Sequence, residues 1–195
     1  ELLGRIRCPQ LSFHAHENVL GVRYNKLAVN ALGYASCLSA SNFITEALAN
    51  GPWREAVGLP IVRECGGIFD RAGIKLERIP GVPSLARLER FMRLMGAPLV
   101  GPLITLAARR LFNRKPIVFS LQQDLQRRKP TEVAFVNGEI VRLATSFGMV
   151  APANELVVQL VRELEQRGDG TFFTRDEVIQ RFHRVSTLHT PARRD

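Results

Sequence analysis

The apolar residues of this chain recur with the spacing of an α-helix, and this periodicity constrains the fold more than any other feature. In the most regular segment they follow one another at intervals of three and four residues, which places them on one helix face. The residues of this stripe are Val133, Val136, Ile140, Leu143 and Phe147. Similar stripes recur along the chain, so the sequence predicts an all-α domain of seven to eight helices with almost no strand.

Glycine and proline mark where several of these helices begin and end. A segment of small and apolar residues over 24–49 predicts a helix broken once, and Gly51-Pro52 ends it because proline suits the first turn of the next helix. That next helix is predicted over 53–71, with a kink or a division at Pro60. A short alternation of apolar and polar residues over 11–16 predicts the one strand.

Later helices carry start signals of their own. Ser84 is the predicted N-cap of an amphipathic helix, and Thr174-x-x-Glu177 is a capping box before the last helix. Asn137-Gly138 is a hairpin dipeptide, but the helical period continues across it. We therefore expect one continuous helix with this glycine in its middle.

The composition fits a single globular domain and excludes a membrane span. The 195 residues carry a net charge of +9, but the basic residues recur singly along the helices, which is typical of solvated helix faces. A basic helical module that binds nucleic acid remains an alternative, although nucleic acid is not the expected partner. The longest apolar stretch, over 97–108, is interrupted by Pro98 and Gly101, so no membrane contact is expected.

Cysteine and histidine form no recognisable site in the sequence. Cys8, Cys37 and Cys65 lie in different segments without a C-x-x-C pair, which predicts reduced thiols in a cytoplasmic protein. His14 and His16 form an H-x-H pair without a third ligand, so no metal site is predicted. The sequence also contains no glycine-rich phosphate-binding loop.

Polar residues in two places interrupt otherwise apolar segments. Lys26 and Asn30 are four residues apart and share a helix face, where apolar neighbours would desolvate the lysine and make it a better proton donor. Alternatively, this lysine extends to water at the start of its helix. Ser120 and Asp124 share a face in the same way. Glu132 is either a helix-start acid favoured by the helix dipole or a carboxylate placed to pair with a lysine of another helix.

Four stretches, taken in order, carry a resemblance to one protein family. They are Lys26-Leu-Ala-Val-Asn30; Glu64 with Ala72-Gly73-Ile74; Ser120-Leu-Gln-Gln-Asp124 with Pro130-Thr-Glu132-Val-Ala-Phe-Val-Asn137-Gly138; and Gly148-Met-Val-Ala-Pro152-Ala-Asn154. Their order and spacing over about 22–167 resemble the C-terminal domain of the ketopantoate reductase family, the 2-dehydropantoate 2-reductases.

The resemblance implies a fold, a reaction and a set of residue roles. The fold would be an all-α C-terminal domain of the 6-phosphogluconate dehydrogenase C-terminal-like type. The reaction would be the reduction of a 2-oxo acid at C2 by NADPH, which family members bind mainly on a preceding Rossmann domain. Carried over, Lys26 is the catalytic general acid, and Glu132 hydrogen-bonds the substrate hydroxyl and holds the lysine. Asn30 would bind a substrate hydroxyl, and Ser120 the substrate carboxylate.

Domain boundaries and partners follow from the same resemblance. Residues 1–20 would be a linker or a remnant of the Rossmann domain, 21–188 the helical substrate and catalytic domain, and 189–195 a polar tail. The expected partners are the Rossmann domain, a small 2-oxo acid and, in a homodimer, a second copy of the chain. We expect the nucleotide-binding half to be missing here and the isolated chain to be inactive.

Three features depart from the family pattern. Tyr34 occupies the position where a second asparagine is usual, Ala134 replaces an aspartate, and the segment over 75–116 is longer and carries two extra helical pieces. These departures leave the particular substrate open. A non-catalytic helical dimerisation domain of a diverged dehydrogenase remains an alternative.

Overall fold

The structure of the protein, a computed structural model, describes residues 16–78, 80–112 and 117–189. Within these ranges the chain is mostly helical and no residue belongs to a strand, which confirms the predicted all-α class. Cys8 and His14 lie outside the described residues, as do nearly all of the strand predicted over 11–16 and the polar tail beyond 189.

The described residues form helices α1 to α8, in agreement with the predicted number. Their bounds are α1 Val19–Cys37, α2 Gly51–Trp53, Arg54–Gly58 and Leu59–Arg71 without a break, α3 Leu85–Gly96, α4 Gly101–Phe112, α5 Ser120–Gln126, α6 Asn137–Ser146, α7 Pro152–Arg167 and α8 Arg175–His189. A π-helical turn, Phe43–Leu48, follows α1, and a 3₁₀ turn, Val133–Phe135, precedes α6.

Helices α1 and α2 supply the centre of the core. The second half of α1 is buried on its whole circumference, including Leu32 and Tyr34. Trp53 and Phe69 of α2 and Phe182 of α8 are also almost completely buried. Each large apolar side chain buried in this way contributes about 1.5–3 kcal/mol. Because α1 is fixed so firmly at its second half, the polar side chains along it have a rigid support.

The kink or division expected at Pro60 takes the form of a wide helical turn. The helix continues from Gly51 to Arg71, but its turn over Arg54–Gly58 is π-helical and immediately precedes Leu59-Pro60. Proline lacks an N–H group, and its ring clashes with the carbonyl four residues earlier. A π turn relieves that clash without dividing the helix.

The predicted capping residues act as expected. The Ser84 hydroxyl accepts a hydrogen bond from the Arg87 N–H at 3.4 Å, at the start of α3. At the start of α8 the Thr174 N–H donates to the Glu177 carboxylate at 2.6 Å, and the Glu177 N–H donates to the Thr174 hydroxyl at 3.2 Å. These local signals were readable because donor and acceptor are three residues apart.

The prediction of one continuous helix through Gly138 is wrong. Helix α6 begins at Asn137, so Gly138 lies in its first turn rather than in its middle. Val136, with φ −111° and ψ −84°, separates α6 from the preceding 3₁₀ turn. Asparagine and glycine favour helix ends, and the buried Asn137 side chain also bonds to other helices. These preferences start the helix at Asn137, although the spacing of the apolar residues would continue it from earlier in the chain.

Helices α3 and α4 are the two extra helical pieces predicted over 75–116. They pack against each other at a bend of 118°. In the part of the chain that the structure describes, no single helix is long and apolar enough to span a membrane; only this bent pair, taken together, meets such a test.

A network of half-buried Glu64 with buried Asn137 and Asn154 ties α1, α2, α6 and α7 together. The Glu64 carboxylate accepts from the N–H groups of Ala153 at 2.7 Å and Asn154 at 3.0 Å, and from the Asn154 side-chain amide at 2.9 Å. The Asn137 amide donates to the Asn154 side-chain oxygen at 3.0 Å and to the Ala31 carbonyl at 3.2 Å. Three of the motif residues are therefore structural: they position α1.

Candidate functional site

One face of α1 carries Lys26, Asn30 and Tyr34 at successive turns. Residues four apart lie on the same helix face, and Tyr34 is about 12 Å along the axis from Lys26. Lys26 is exposed, Asn30 is half-buried and Tyr34 is only 2% exposed. The desolvation expected for Lys26 from its apolar neighbours is therefore absent in this domain, and the lysine extends to water.

Tyr34 joins this face to the second pair of candidate residues. Its hydroxyl lies 3.4 Å from the Ser120 hydroxyl at the start of α5. Burial raises the pKa of Tyr34, and the carboxylates of Glu132 and Asp124 raise it as well, although the Ser120 hydrogen bond lowers it. The phenol therefore stays neutral. The structure thus brings Ser120 to the Tyr34 end of the face, and the Glu132 and Asp124 carboxylates act on the Tyr34 hydroxyl electrostatically.

Phe119 holds the two segments together. Its ring packs edge-on against Tyr34 and Phe43, with ring centroids 6.4 Å and 5.4 Å apart. The same ring lies directly on Gly33, where an added Cβ would be 2.1 Å from it. Only glycine allows this approach, so Gly33 fixes the distance between α1 and the start of α5 that carries Ser120.

Glu132 has no helix-capping role that would explain it. Helix α6 begins five residues later, at Asn137, and Glu132 precedes only a three-residue 3₁₀ turn without a side-chain cap. Glu132 thus lies at the start of a 3₁₀ turn rather than in the first turn of an α-helix, and its side chain caps neither element. Among the described residues, exposed Glu132 and Lys26 form no ion pair with each other. Both side chains are free to meet a third molecule.

An apolar cavity of about 530 Å³ adjoins this face. It reaches α1 at Val29, next to Asn30, and the start of α5 at Phe119, next to Ser120. Its other walls include Phe43, Leu88 and Phe91, so the extra helix α3 supplies part of the lining. The cavity thus adjoins two of the segments that carry candidate residues, although no candidate side chain lines it.

The two described cysteines are unsuited to chemistry. Burial raises the pKa of Cys37 to about 12 and raises that of Cys65 as well. The reactive form of cysteine is the thiolate. Neither thiol therefore acts as a nucleophile at neutral pH in the folded domain.

Native thiol labelling is expected to confirm this. In a Cys8→Ser variant, Ellman's reagent at neutral pH should modify Cys37 and Cys65 only as fast as the domain unfolds. Both should react at once in urea. The unfolding rate is measured by circular dichroism. Labelling of either thiol faster than this rate would show that its burial is incomplete.

No metal centre is found among the described residues, where no three histidine, cysteine, aspartate or glutamate side chains converge. His16 instead accepts a hydrogen bond from the Asn18 N–H at 3.0 Å. Asn18 in turn accepts from the Gly21 N–H at 2.9 Å and so caps α1. His16 thus belongs to the segment that leads into α1 and bonds to its N-cap residue. His14 lies outside the described residues.

Sequence reasoning treated Tyr34 only as a departure from a pattern, and it missed Phe119. The available signal was position: Tyr34 is four residues after Asn30 and eight after Lys26, which places it on the candidate face. Phe119 precedes Ser120 directly. Its contact with Gly33 depends on a long-range approach that the sequence does not reveal.

Fold and site together define an all-α domain with an open polar surface along its central helix. Comparison with known families places it further: residues 18–165 match the family described as "Ketopantoate reductase PanE/ApbA C terminal". Because the match covers most of the chain, this chain belongs to that family of ketopantoate reductase C-terminal domains.

Individual relatives are similar over different lengths. The 2-dehydropantoate 2-reductase of Pyrococcus horikoshii is 26% identical over 159 residues, which cover 80% of this chain and 44% of that protein. That of Archaeoglobus fulgidus is 46% identical over 46 residues, which cover 24% of this chain and 16% of the relative. A solved structure of a PanE/ApbA family ketopantoate reductase from Ralstonia eutropha JMP134 is 22% identical, with a TM-score of 0.49, and the likeness covers 78% of this chain and 43% of that one. The chain thus spans less than half the length of these relatives.

Proposed function

We propose that this chain is the catalytic and substrate-binding domain of an NADPH-dependent reductase of 2-oxo acids, of the 2-dehydropantoate 2-reductase type. The observation that carries the proposal is the hydrogen bond between Tyr34 and Ser120, with the Glu132 carboxylate acting on the same hydroxyl. This bond connects the helix that carries Lys26 and Asn30 to the segment that carries Ser120. Family membership supports the reaction type. We expect the protein to act in the cytoplasm, in pantothenate biosynthesis, with a Rossmann domain and a second copy as partners.

The open surface fits a nicotinamide that is presented by another domain. Lys26, Ser120 and Glu132 are exposed, and the chain contains no glycine-rich phosphate-binding loop. When bound, the nicotinamide supplies the hydride. A domain that covers this face would exclude water and so provide the desolvation that Lys26 lacks here.

Each polar side chain then has one task on the 2-oxo acid. The Lys26 ammonium donates its proton to the C2 oxygen as negative charge develops there, which is where a cationic donor helps most. Glu132 accepts a hydrogen bond from the resulting C2 hydroxyl and holds the lysine. Asn30 binds a further substrate hydroxyl, and Ser120 donates to the substrate carboxylate.

The apolar cavity would receive the side group of the substrate. Its lining includes the sequence neighbours of Asn30 and Ser120, and it is mainly aliphatic and aromatic, with Arg87 as its charged member. Apolar groups enter such a recess because water is released from both surfaces. We therefore expect 2-oxo acids with branched or longer apolar side groups to be preferred over pyruvate.

The test is NADPH oxidation by the full-length gene product that contains this chain. Ketopantoate, pyruvate and a series of 2-oxo acids with longer side groups are compared, and simple ketones without a carboxylate are the control. Turnover of 2-oxo acids alone, with no activity of the isolated chain, is the expected result. Absence of turnover with every 2-oxo acid, in protein that binds NADPH, would refute the proposal and favour a non-catalytic dimerisation domain.

Tyr34 is proposed as a positioning residue, because it acts on substrate only through Ser120. A Tyr34→Phe variant keeps the ring that packs on Phe119 but loses the hydroxyl. We expect KM for the 2-oxo acid to rise several-fold with kcat almost unchanged, and the free energy of unfolding to fall by about 1 kcal/mol at most. A fall in kcat at constant KM would instead place the Tyr34 hydroxyl in the chemical step.

A further inference from the structure

A second cavity, of about 510 Å³, lies apart from the candidate site. It is an open cavity bounded by the start of α2, the end of α3 and one side of α4, and none of Lys26, Asn30, Ser120 and Glu132 lines it. Its apolar walls include Met95, Pro98 and Leu106.

The floor of this cavity holds a buried cation, Arg54. Only 5% of the residue is exposed. Its Nη1 donates to the Leu48 carbonyl at 3.0 Å, but its buried Nε has no hydrogen-bond acceptor within the described ranges. The nearest carboxylate, that of the exposed Glu55, is 3.9 Å from Nε. A guanidinium has five N–H donors, and a buried charge is costly unless it is paired.

Two glycines leave this guanidinium open to the cavity. Gly51 and Gly96 both line the cavity, and an added Cβ at these positions would lie 3.8 Å and 3.3 Å from Nη2 of Arg54. A second cation, Arg109 of α4, lines the same cavity from its exposed side. Among the described residues Arg109 forms no ion pair.

We propose that this cavity binds a small organic anion, whose carboxylate or phosphate group pairs with Arg54 and Arg109 and whose apolar part packs on Met95 and Leu106. Burial already lowers the pKa of Arg54, although the Glu55 carboxylate raises it again. An anion bound to the guanidinium would offset that burial cost. Planar guanidinium groups match carboxylate and phosphate oxygens through paired hydrogen bonds.

The test is isothermal titration calorimetry and thermal unfolding of the full chain at low salt, with inorganic phosphate and with hexanoate as probes. Both probes are expected to bind and to raise the melting temperature. The two dissociation constants show whether the site prefers a phosphate or a carboxylate group. Arg109→Ala should weaken binding at least about tenfold, the effect of losing one charge-assisted hydrogen bond. Gly96→Val, which covers the Arg54 guanidinium, should abolish binding.

Matched variants separate this site from the candidate site and from misfolding. Lys26→Ala should bind both probes as the wild type does. Arg54→Met should lose binding; if it fails to fold, the exposed Arg109 and the Gly96 variant decide the question. The proposal is overturned if neither probe binds, or if binding survives unchanged in Arg109→Ala and Gly96→Val.

Discussion

Replacing Glu64 with alanine is expected to lower the free energy of unfolding by about 3 kcal/mol or more. The substitution removes the acceptor of the Ala153 and Asn154 N–H groups and of the Asn154 side-chain amide. Both N–H groups lie in the first turn of α7, where a helix provides no acceptor of its own. The N-cap residue Ala151 has no side chain that could replace the carboxylate, and Asn154 is fully buried.

Glu155 offers a matched control for this prediction. It lies in the same first turn of α7 and is exposed, so Glu155→Ala should cost only the interaction with the helix dipole, about 0.3–1 kcal/mol. Urea unfolding followed by circular dichroism measures both variants, and unchanged m-values would show that the comparison is valid. Equal losses in the free energy of unfolding for the two variants would mean that the Glu64 hydrogen bonds stabilise the fold no more than a negative charge near the start of α7 does.

Replacing Lys26 with alanine in the full-length protein is expected to lower kcat/KM for a 2-oxo acid at least about a hundredfold, the typical contribution of a general acid. That loss equals about 2.7 kcal/mol of transition-state stabilisation. Because Lys26 is exposed, the free energy of unfolding should change by less than about 0.5 kcal/mol. Steady-state NADPH oxidation and thermal unfolding of the same preparation measure the two effects.

Two further variants distinguish proton donation from charge. Lys26→Arg keeps the positive charge but not a removable proton, so it should remain nearly as slow as the alanine variant. Arg23→Ala removes an exposed cation one turn earlier on α1. The nearest carboxylate to Arg23 is that of Glu139, at 3.9 Å. Activity should be unchanged in this variant. A Lys26→Ala enzyme that retains activity within tenfold of wild type would remove Lys26 from the chemical step.

The features predicted correctly from the sequence are those decided within one or two helical turns. The helix over 53–71 follows from its flanking signals, and the caps at Ser84 and Thr174 follow from bonds between residues three apart. Each of these outcomes is set by neighbours along the chain, so periodicity and capping rules suffice.

Features decided by contacts between distant segments were not predictable in this way. The start of α6 at Asn137 depends on its bonds to Ala31 and Asn154, which no local pattern contains. The cap of α7 comes from Glu64, about ninety residues earlier in the chain. Tertiary hydrogen bonds of this kind override a continuous apolar period.

The candidate site also combines features that local sequence predicts with features that depend on contacts between distant segments. The pairing of Lys26 with Asn30 was predictable from helix geometry alone. The connection to Ser120 was not, because it passes through Tyr34 and depends on the contact of Phe119 with Gly33. The exposure of Lys26 agrees with the alternative in which this lysine extends to water, since apolar neighbours along a helix need not lie on the lysine's own side.

The proposed function requires that Lys26, Asn30, Ser120 and Glu132 act on one substrate. A crystal structure of the full-length protein with NADP⁺ and an unreacted 2-oxo acid tests it directly. We expect the C2 oxygen at hydrogen-bond distance, about 2.7–3.2 Å, from the Lys26 Nζ, with Glu132 beside it and the substrate carboxylate on Ser120. A 2-oxo acid bound elsewhere, or bound without contact to both Lys26 and Ser120, would contradict it.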